Sequence, residues 1–264
     1  GHVRVFQYVV DNGIGNWVQM GNDLDGTNRS DRFGQSLALS EDGKRLAVGI
    51  PYADGVGNSK NNSGAVRVYD WNDTSWVQIG DIIHGDTILD IRGMDVDISA
   101  DGTTVSIVDL DLFSNDKESE VSIYRYNSDS SDWIIMGDAI SEESTAKWSS
   151  YETSLSADGS IVAIGNGTHD LPISDTLVAT EDAATGGNFQ AGDTIVTDNI
   201  SNAGWVRVFK YSDSTNSWDQ MGQSIVGSRE DIFGTGLSIS ADGTILAASA
   251  PKGYGTVSTK YAFV

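Results

Sequence analysis

Trp17-Val-Gln-Met-Gly21, Trp76-Val-Gln-Ile-Gly80, Trp133-Ile-Ile-Met-Gly137 and Trp218-Asp-Gln-Met-Gly222 are four copies of one pattern, a Trp four residues ahead of a Gly with Met or Ile just before it. Between them runs a second pattern, Ser-x-Asp-Gly, ending at Gly43, Gly102, Gly159 and Gly243. The Trp spacings are 59, 57 and 85 residues and the Ser spacings 59, 57 and 84, so both markers keep one register. A fixed period of this size is the mark of a repeat architecture.

A third marker is an alternating segment: Val3-Arg-Val-Phe6, Val66-Arg-Val-Tyr69, Val121-Ser-Ile-Tyr124 and Val206-Arg-Val-Phe209. Alternation places Val on one face and Arg or Ser on the other, the period of a half-buried strand. Each unit then reads as four short strands, which in the second copy are residues 33–40, 45–50, 65–71 and 76–80. Asp-Gly joins the first two, because Gly tolerates the positive φ of a tight hairpin and Asp can cap the turn. Helical periodicity is absent. Four antiparallel strands about every 60 residues describe the blade of an all-β propeller. The units run roughly 1–63, 64–119, 120–203 and 204–264 within one domain, with an insertion at 167–203 in the third. The sequence starts on a third and fourth strand and ends, from Gly255 to Val264, on what reads as another third strand, so the ends either pair to close a small ring or belong to a longer repeat protein.

Asp31-Arg-Phe33-Gly34-Gln-Ser36, Leu46-Ala-Val-Gly49-Ile-Pro51 and Gly64-Ala-Val-Arg-Val-Tyr69 together resemble the FG-GAP repeat of integrin α-subunit propellers. The last copy repeats the pattern at Asp231-Ile-Phe233-Gly234 and Ala248-Ser-Ala250-Pro251, whereas the middle copies carry Arg92-Gly93 and Ser150-Tyr151 at the first position. The resemblance implies a propeller and an extracellular setting. Integrin-type blades often hold calcium between their first two strands. Here that loop is only Ser-x-Asp-Gly, too short for the 6 to 8 oxygens calcium takes, so no cofactor is expected. Asn22-Asp23-Leu24-Asp25-Gly26 reads as a turn.

Sixteen Lys and Arg stand against 38 Asp and Glu, a formal charge of −22. That sign repels phosphate backbones and anionic headgroups, excluding nucleic acid and bare membrane as partners. The chain has no Cys, which removes disulfides, thiolate metal sites and a Cys nucleophile. No apolar run nears the ~20 residues of a spanning helix, and the N-terminus lacks the apolar stretch of a signal peptide. A soluble chain is expected.

His2, His84 and His169 share no spacing and read as exposed loop residues. No Gly-x-Ser-x-Gly elbow or phosphate loop appears, and 38 acids leave no one carboxylate ranked above another. The repeat tryptophans Trp17, Trp76, Trp133 and Trp218 are expected to pack between blades, while Trp71 and Trp148 stand outside that register as candidates for an exposed aromatic contact. Asn28, Asn61, Asn72, Asn166 and Asn199 head N-glycosylation sequons. The functional expectation is a secreted or cell-surface, non-enzymatic module that binds protein or glycan, or serves an extracellular assembly, through its long-loop face. The alternative is a polysaccharide hydrolase or lyase with carboxylates near the propeller axis.

Overall fold

The protein is described by a computed structural model covering residues 1–55, 61–110, 119–141, 151–168, 177–178, 194–195 and 202–252. The N-terminal strands are β1 (His2–Val3), β2 (Phe6–Asp11), β3 (Ile14–Gln19) and β4 (Leu24–Asp25). They are followed by β5 (Leu37–Leu39), β6 (Arg45–Ile50), β7 (Ala65–Trp71) and β8 (Trp76–His84), then by β9 (Val96–Ile98), β10 (Thr104–Asp109), β11 (Glu120–Asn127), β12 (Asp132–Ile135) and β13 (Ile140–Ser141). The remainder are β14 (Tyr151–Leu155), β15 (Ile161–Asn166), β16 (Leu177–Val178), β17 (Thr194–Ile195), β18 (Trp205–Ser212), β19 (Ser217–Gln220), β20 (Ile225–Val226), β21 (Leu237–Ile239) and β22 (Leu246–Ala248).

Three sheets are complete antiparallel blades, in the orders β5-β6-β7-β8, β9-β10-β11-β12 and β14-β15-β18-β19. The innermost strands β5, β9, β14 and β21 neighbour one another in sequence. The fold is therefore an all-β propeller, with the blades side by side about the line their first strands share. The hairpins β2–β3 and β21–β22 form separate two-stranded sheets at the two ends. Each blade draws its first two strands from one sequence unit and its last two from the next, so the units 1–63 and 64–119 straddle the blades.

Packing follows from this stacking. Strands β10 and β15 are buried along their whole length, and β6 along all but its first residue. A second strand has a neighbouring blade on each face, which is why Leu46-Ala-Val-Gly-Ile50 and Ile161-Val-Ala-Ile164 are unbroken apolar runs. The core is accordingly layered between blades. One layer holds Phe33, Leu46, Val48, Tyr69 and Trp76, a second Val66, Val68, Val105, Ile107 and Trp133, and a third Val121, Ile123, Val162, Ile164 and Trp205.

The repeat tryptophans join these layers. Nε1 of Trp76 donates to the carbonyl of Met20 at 3.1 Å, Trp133 to Ile79 at 3.3 Å and Trp218 to Met136 at 2.8 Å. Each indole thus bonds the residue before the motif glycine of the preceding blade. At Gly80 the backbone has φ 65° and an added Cβ would lie 2.5 Å from the ring of Trp133, so the glycine is demanded by the next blade's approach. Trp76 and Trp133 are buried and Trp218 is partly buried against its layer. Trp17 departs from the expectation: it is 69% exposed, since none of the described blades packs against it.

The Ser-x-Asp-Gly turns form one repeated network. In the second, Ser99 Oγ donates to Asp101 Oδ1 at 2.6 Å, the Thr103 amide donates to the same oxygen at 2.8 Å, and the Thr104 amide donates to Ser99 Oγ at 2.9 Å. The turns at Ser40, Ser156 and Ser240 repeat these bonds, and Gly43, Gly102, Gly159 and Gly243 all have φ between 65° and 73°. These acceptor bonds hold Asp42, Asp158 and Asp242 below the usual carboxylate range, Asp242 at about 2.

Two of the strand readings shift. The first strand of the blade is Leu37–Leu39 and not 33–40, because Arg32 and Gly34 take positive φ. The fourth runs to His84, past a register shift opposite Val66 and Val68, where His84 pairs with Ala65.

Two substitutions test the joints. Trp76→Ala should lower the unfolding free energy by about 3 to 5 kcal/mol, and Ser99→Ala, which strips a buried turn of its hydroxyl, by about 1 to 3 kcal/mol, both read from urea denaturation.

Candidate functional site

The first strand of each blade lines the shared axis, and its alternation decides what faces that line. The residue four places before each turn serine is Ser36, Asp95, Glu152 or Gly236, and the residue two places before is Ala38, Asp97, Ser154 or Ser238. Three carboxyls thus gather on the adjacent strands β9 and β14 and the residues that flank them. They are half-buried between fully buried neighbours such as Val96, Ile98 and Leu155.

Main-chain amides of the next blade fix two of the three. Thr153 N–H donates to Asp95 Oδ2 at 2.9 Å, and Leu155 N–H donates to Asp97 Oδ2 at 2.7 Å. Ser36 Oγ donates to the carbonyl of Gly93, and Ile239 N–H donates to Ser154 Oγ. The row is therefore both a seam between blades and an acidic surface. Desolvation pushes Asp95 up to about 6 against the amide bonds that favour its charge, and it raises Asp97 as well. Burial, followed by the charge of Asp95, raises Glu152 to about 7. Two neighbouring carboxyls that differ in this way can exist near neutrality as one acid and one base.

A second charged cluster lies under the second blade. Arg92 occupies the position that Phe33 holds in the first blade, and Asp109 that of Ile50, as the matching bonds Gly34 N–H to Gly49 O and Gly93 N–H to Val108 O show. Arg92 Nε and Nη2 donate to Asp109 Oδ2 at 2.8 and 2.6 Å, while Nη1 donates to the carbonyl of His84 and Nη2 to Asp86. Burial raises Asp109 against the pull of Arg92, and burial likewise works against the Arg92 charge but is outweighed by Asp109. This buried pair replaces an apolar contact with a bonded one and carries no free face for a substrate.

The residues singled out in the sequence fall in different places. Asn28, Asn61 and Asn72 are exposed. Asn166 is fully buried at the end of β15, its Oδ1 accepting from Thr168 N–H, and leaves no room for a glycan; that candidate is corrected. Asn199, Trp148, His169 and most of the insertion 167–203 lie outside the described residues. Trp71 is half-buried against Trp76, with ring centroids 5.5 Å apart, and is not an exposed platform. His84 closes β8 half-buried, contrary to the exposed-loop reading. Asp23 is engaged by Arg4 at 2.7 Å and by Gln19. Among the described residues no group of His, Cys, Asp and Glu is arranged to hold a metal ion.

Residues 25–69 match the FG-GAP repeat, in the stretch whose motifs carried the resemblance. No curated protein matches the chain. Among solved structures it is similar to a putative 6-phosphogluconolactonase from Bacteroides uniformis ATCC 8492, with TM-score 0.46 and 15% identity over 86% of this chain and 49% of that one. It is also similar to the periplasmic gluconolactonase of Pseudomonas aeruginosa, with TM-score 0.40 and 15% identity over 91% and 70%. A third is a putative TolB from Agrobacterium tumefaciens, with TM-score 0.37 and 14% identity over 81% and 52%. The chain spans about half the length of the first of these. Two of the three are named as lactonases, and the expectation of a non-enzymatic binding or structural module is corrected on that finding. At such identity the likeness concerns fold and transfers no substrate. Within this chain, the carboxyls that could do chemistry are those of the inner strands, which composition alone had left unranked.

Their protonation makes stability depend on pH. A carboxyl whose folded pKa is raised stabilises the fold fully below its ordinary value, about 3.9 for Asp and 4.3 for Glu, and the contribution is lost as pH rises through the folded value. For Asp95 and Glu152 that window runs from about 4 to about 7. The melting temperature should fall across this range, and Glu152→Gln should flatten part of the slope.

Proposed function

We propose that the protein is a hydrolase of polysaccharide that works at the inner strands by general acid–base catalysis, with Glu152 as the acid and Asp95 as the base. The observation that carries this reading is the pair of carboxyls on neighbouring strands held at about 7 and about 6. Glu152 keeps its proton near neutrality and can deliver it to the departing glycosidic oxygen. Asp95 loses its proton first, is held in place by the Thr153 amide, and can draw a proton from the attacking water. Ser154 and Ser238, at corresponding positions two residues before their turn serines, put hydroxyls on neighbouring strands, and Ser36 stands at the position that Asp95 and Glu152 hold in theirs.

The charge of the chain narrows the substrate. A protein at −22 repels phosphorylated and other anionic sugars, so a neutral or cationic polysaccharide fits this surface better. A panel of such polysaccharides, with sugar lactones as a comparison class, should show turnover by release of reducing ends. Glu152→Gln should then lower kcat by about 10² to 10⁴ while the fold is retained. The rate should rise through about pH 6 as Asp95 ionises and fall through about pH 7 as Glu152 gives up its proton. Equal turnover by wild type and Glu152→Gln would refute the assignment.

The proposal includes a secreted or cell-surface location, supported by the exposed sequons at Asn28, Asn61 and Asn72. Glycopeptide mass spectrometry of native protein from a eukaryotic source should find sugar on at least one of these three and none on Asn166.

A further inference from the structure

The alternating segment of each copy carries an arginine after its first valine in three of four cases, Arg4, Arg67 and Arg207, with Ser122 in the other. The residue beside it on the facing strand is fixed by the pairing of that valine: Val3 with Leu24, Val66 with Ile83, Val121 with Ile140 and Val206 with Ile225. One place before those partners stand Asp23, Ile82, Ala139 and Ser224. Two of the arginines use that position. Arg4 Nη2 donates to Asp23 Oδ2 and Arg207 Nε to Ser224 Oγ, each at 2.7 Å. Where Ser122 replaces the arginine, no acceptor is needed and Ala139 stands opposite. Arg67 keeps the guanidinium but has lost the acceptor, because Ile82 occupies its place.

What Arg67 meets instead is a cavity of about 130 Å³. Its Nε is covered and unbonded, and among the described residues the side chain makes a single long hydrogen bond, from Nη2 to Thr27 Oγ1 at 3.3 Å. A half-buried charge so weakly bonded costs stability unless something else answers it. Asp31, Asp54 and His84 share the lining with apolar Phe33 and Ile50. Both acids are held in place: Asn28 Nδ2 donates to Asp31 Oδ2 and Asn62 N–H to Asp54 Oδ1, each at 3.0 Å. The cavity therefore presents donors, acceptors and an apolar wall within one small space.

We propose that this cavity binds one neutral sugar ring, with the Arg67 guanidinium donating to its oxygens and Asp31 and Asp54 accepting from its hydroxyls. The charge of Arg67 disfavours a cation, while the two acids and the formal −22 of the chain disfavour a free anion. A hydroxyl both donates and accepts, so a neutral polyol serves the arginine and the acids together. Its C–H face lies against Phe33 and Ile50. The volume is well below the ~300 to 1,000 Å³ of sites for drug-sized ligands, which limits the occupant to a single ring. Asp95 and Glu152 take no part in this site, and it stands whether or not those carboxyls hydrolyse polysaccharide.

Saturation-transfer NMR tests this with D-glucose, D-galactose and N-acetyl-D-glucosamine at millimolar concentration. The protein is produced without glycans, since the sequon residue Asn28 lies at the edge of the cavity. Transfer to at least one of the three sugars is expected. Arg67→Gln should weaken that binding at least about tenfold. Ile82→Ser, which gives Arg67 the partner that Arg207 has in Ser224, should weaken it as well, with melting curves showing that both variants fold. Transfer to none of the sugars, or equal binding by wild type and both variants, would overturn the proposal. So would acetate or glycine binding at Arg67 where no sugar does, since that assigns the cavity to a carboxylate. Sugar binding kept by Arg67→Gln but lost in Glu152→Gln would place the sugar at the inner strands and overturn it too.

Discussion

The structure depends on the fit of one blade's tryptophan against the main chain of the blade before it. An indole is large, flat and nearly apolar, yet its N–H must find an acceptor when buried. The carbonyls of Met20, Ile79 and Met136 supply that acceptor, and at Gly80 the missing side chain lets the Trp133 ring approach. The contact is both packing and a directional bond, so it sets how one blade turns and stacks on the next. With the core divided into layers between blades, as in Val66, Val105 and Trp133, stability accrues layer by layer as in other repeat proteins. Where no described blade covers a face, its apolar residues stay exposed, as at Trp17, Leu37 and Leu39.

Much of this was legible in the sequence because the joints are made by residues that only one geometry accommodates. Ser-x-Asp-Gly announces a positive-φ turn and its capping acid, and the four turns are the same network to within a few tenths of an ångström. Trp-x-x-x-Gly announced burial for Trp76 and Trp133. The same motif did not bury Trp17, because burial is supplied by the packed neighbour and not by the motif itself. The sequon at Asn166 failed for a related reason: it sits at the end of a strand buried on both faces, where three letters carry no information on burial.

The inner-strand carboxyls were hidden by number. Among 38 acids nothing in composition separates Asp95 or Glu152 from the solvated majority. The signal was present in the register, since counting four residues back from each turn serine lands on Ser36, Asp95, Glu152 and Gly236. That count acquires meaning only once the first strands are known to face one another. Desolvation, which raises both groups, is a property of the assembled blades and of no local stretch.

The seam itself shows that these acids are not required by the joint they make. At equivalent positions the Leu155 amide is received by the carboxylate of Asp97 and the Ile239 amide by the hydroxyl of Ser154. A hydroxyl therefore satisfies the same main-chain group without a charge to desolvate. Placing carboxyls there costs stability, since half-buried acids on adjacent strands repel and must be partly neutralised by protons. Local rules are broken in folded proteins chiefly where function requires it. Glu152 sharpens the point, because burial and then the charge of Asp95 raise it, and among the described residues it takes no side-chain bond in the seam. A half-buried acid raised by burial and by a neighbouring carboxyl is a poor spacer, and that is the feature on which the proposed chemical role of this propeller rests.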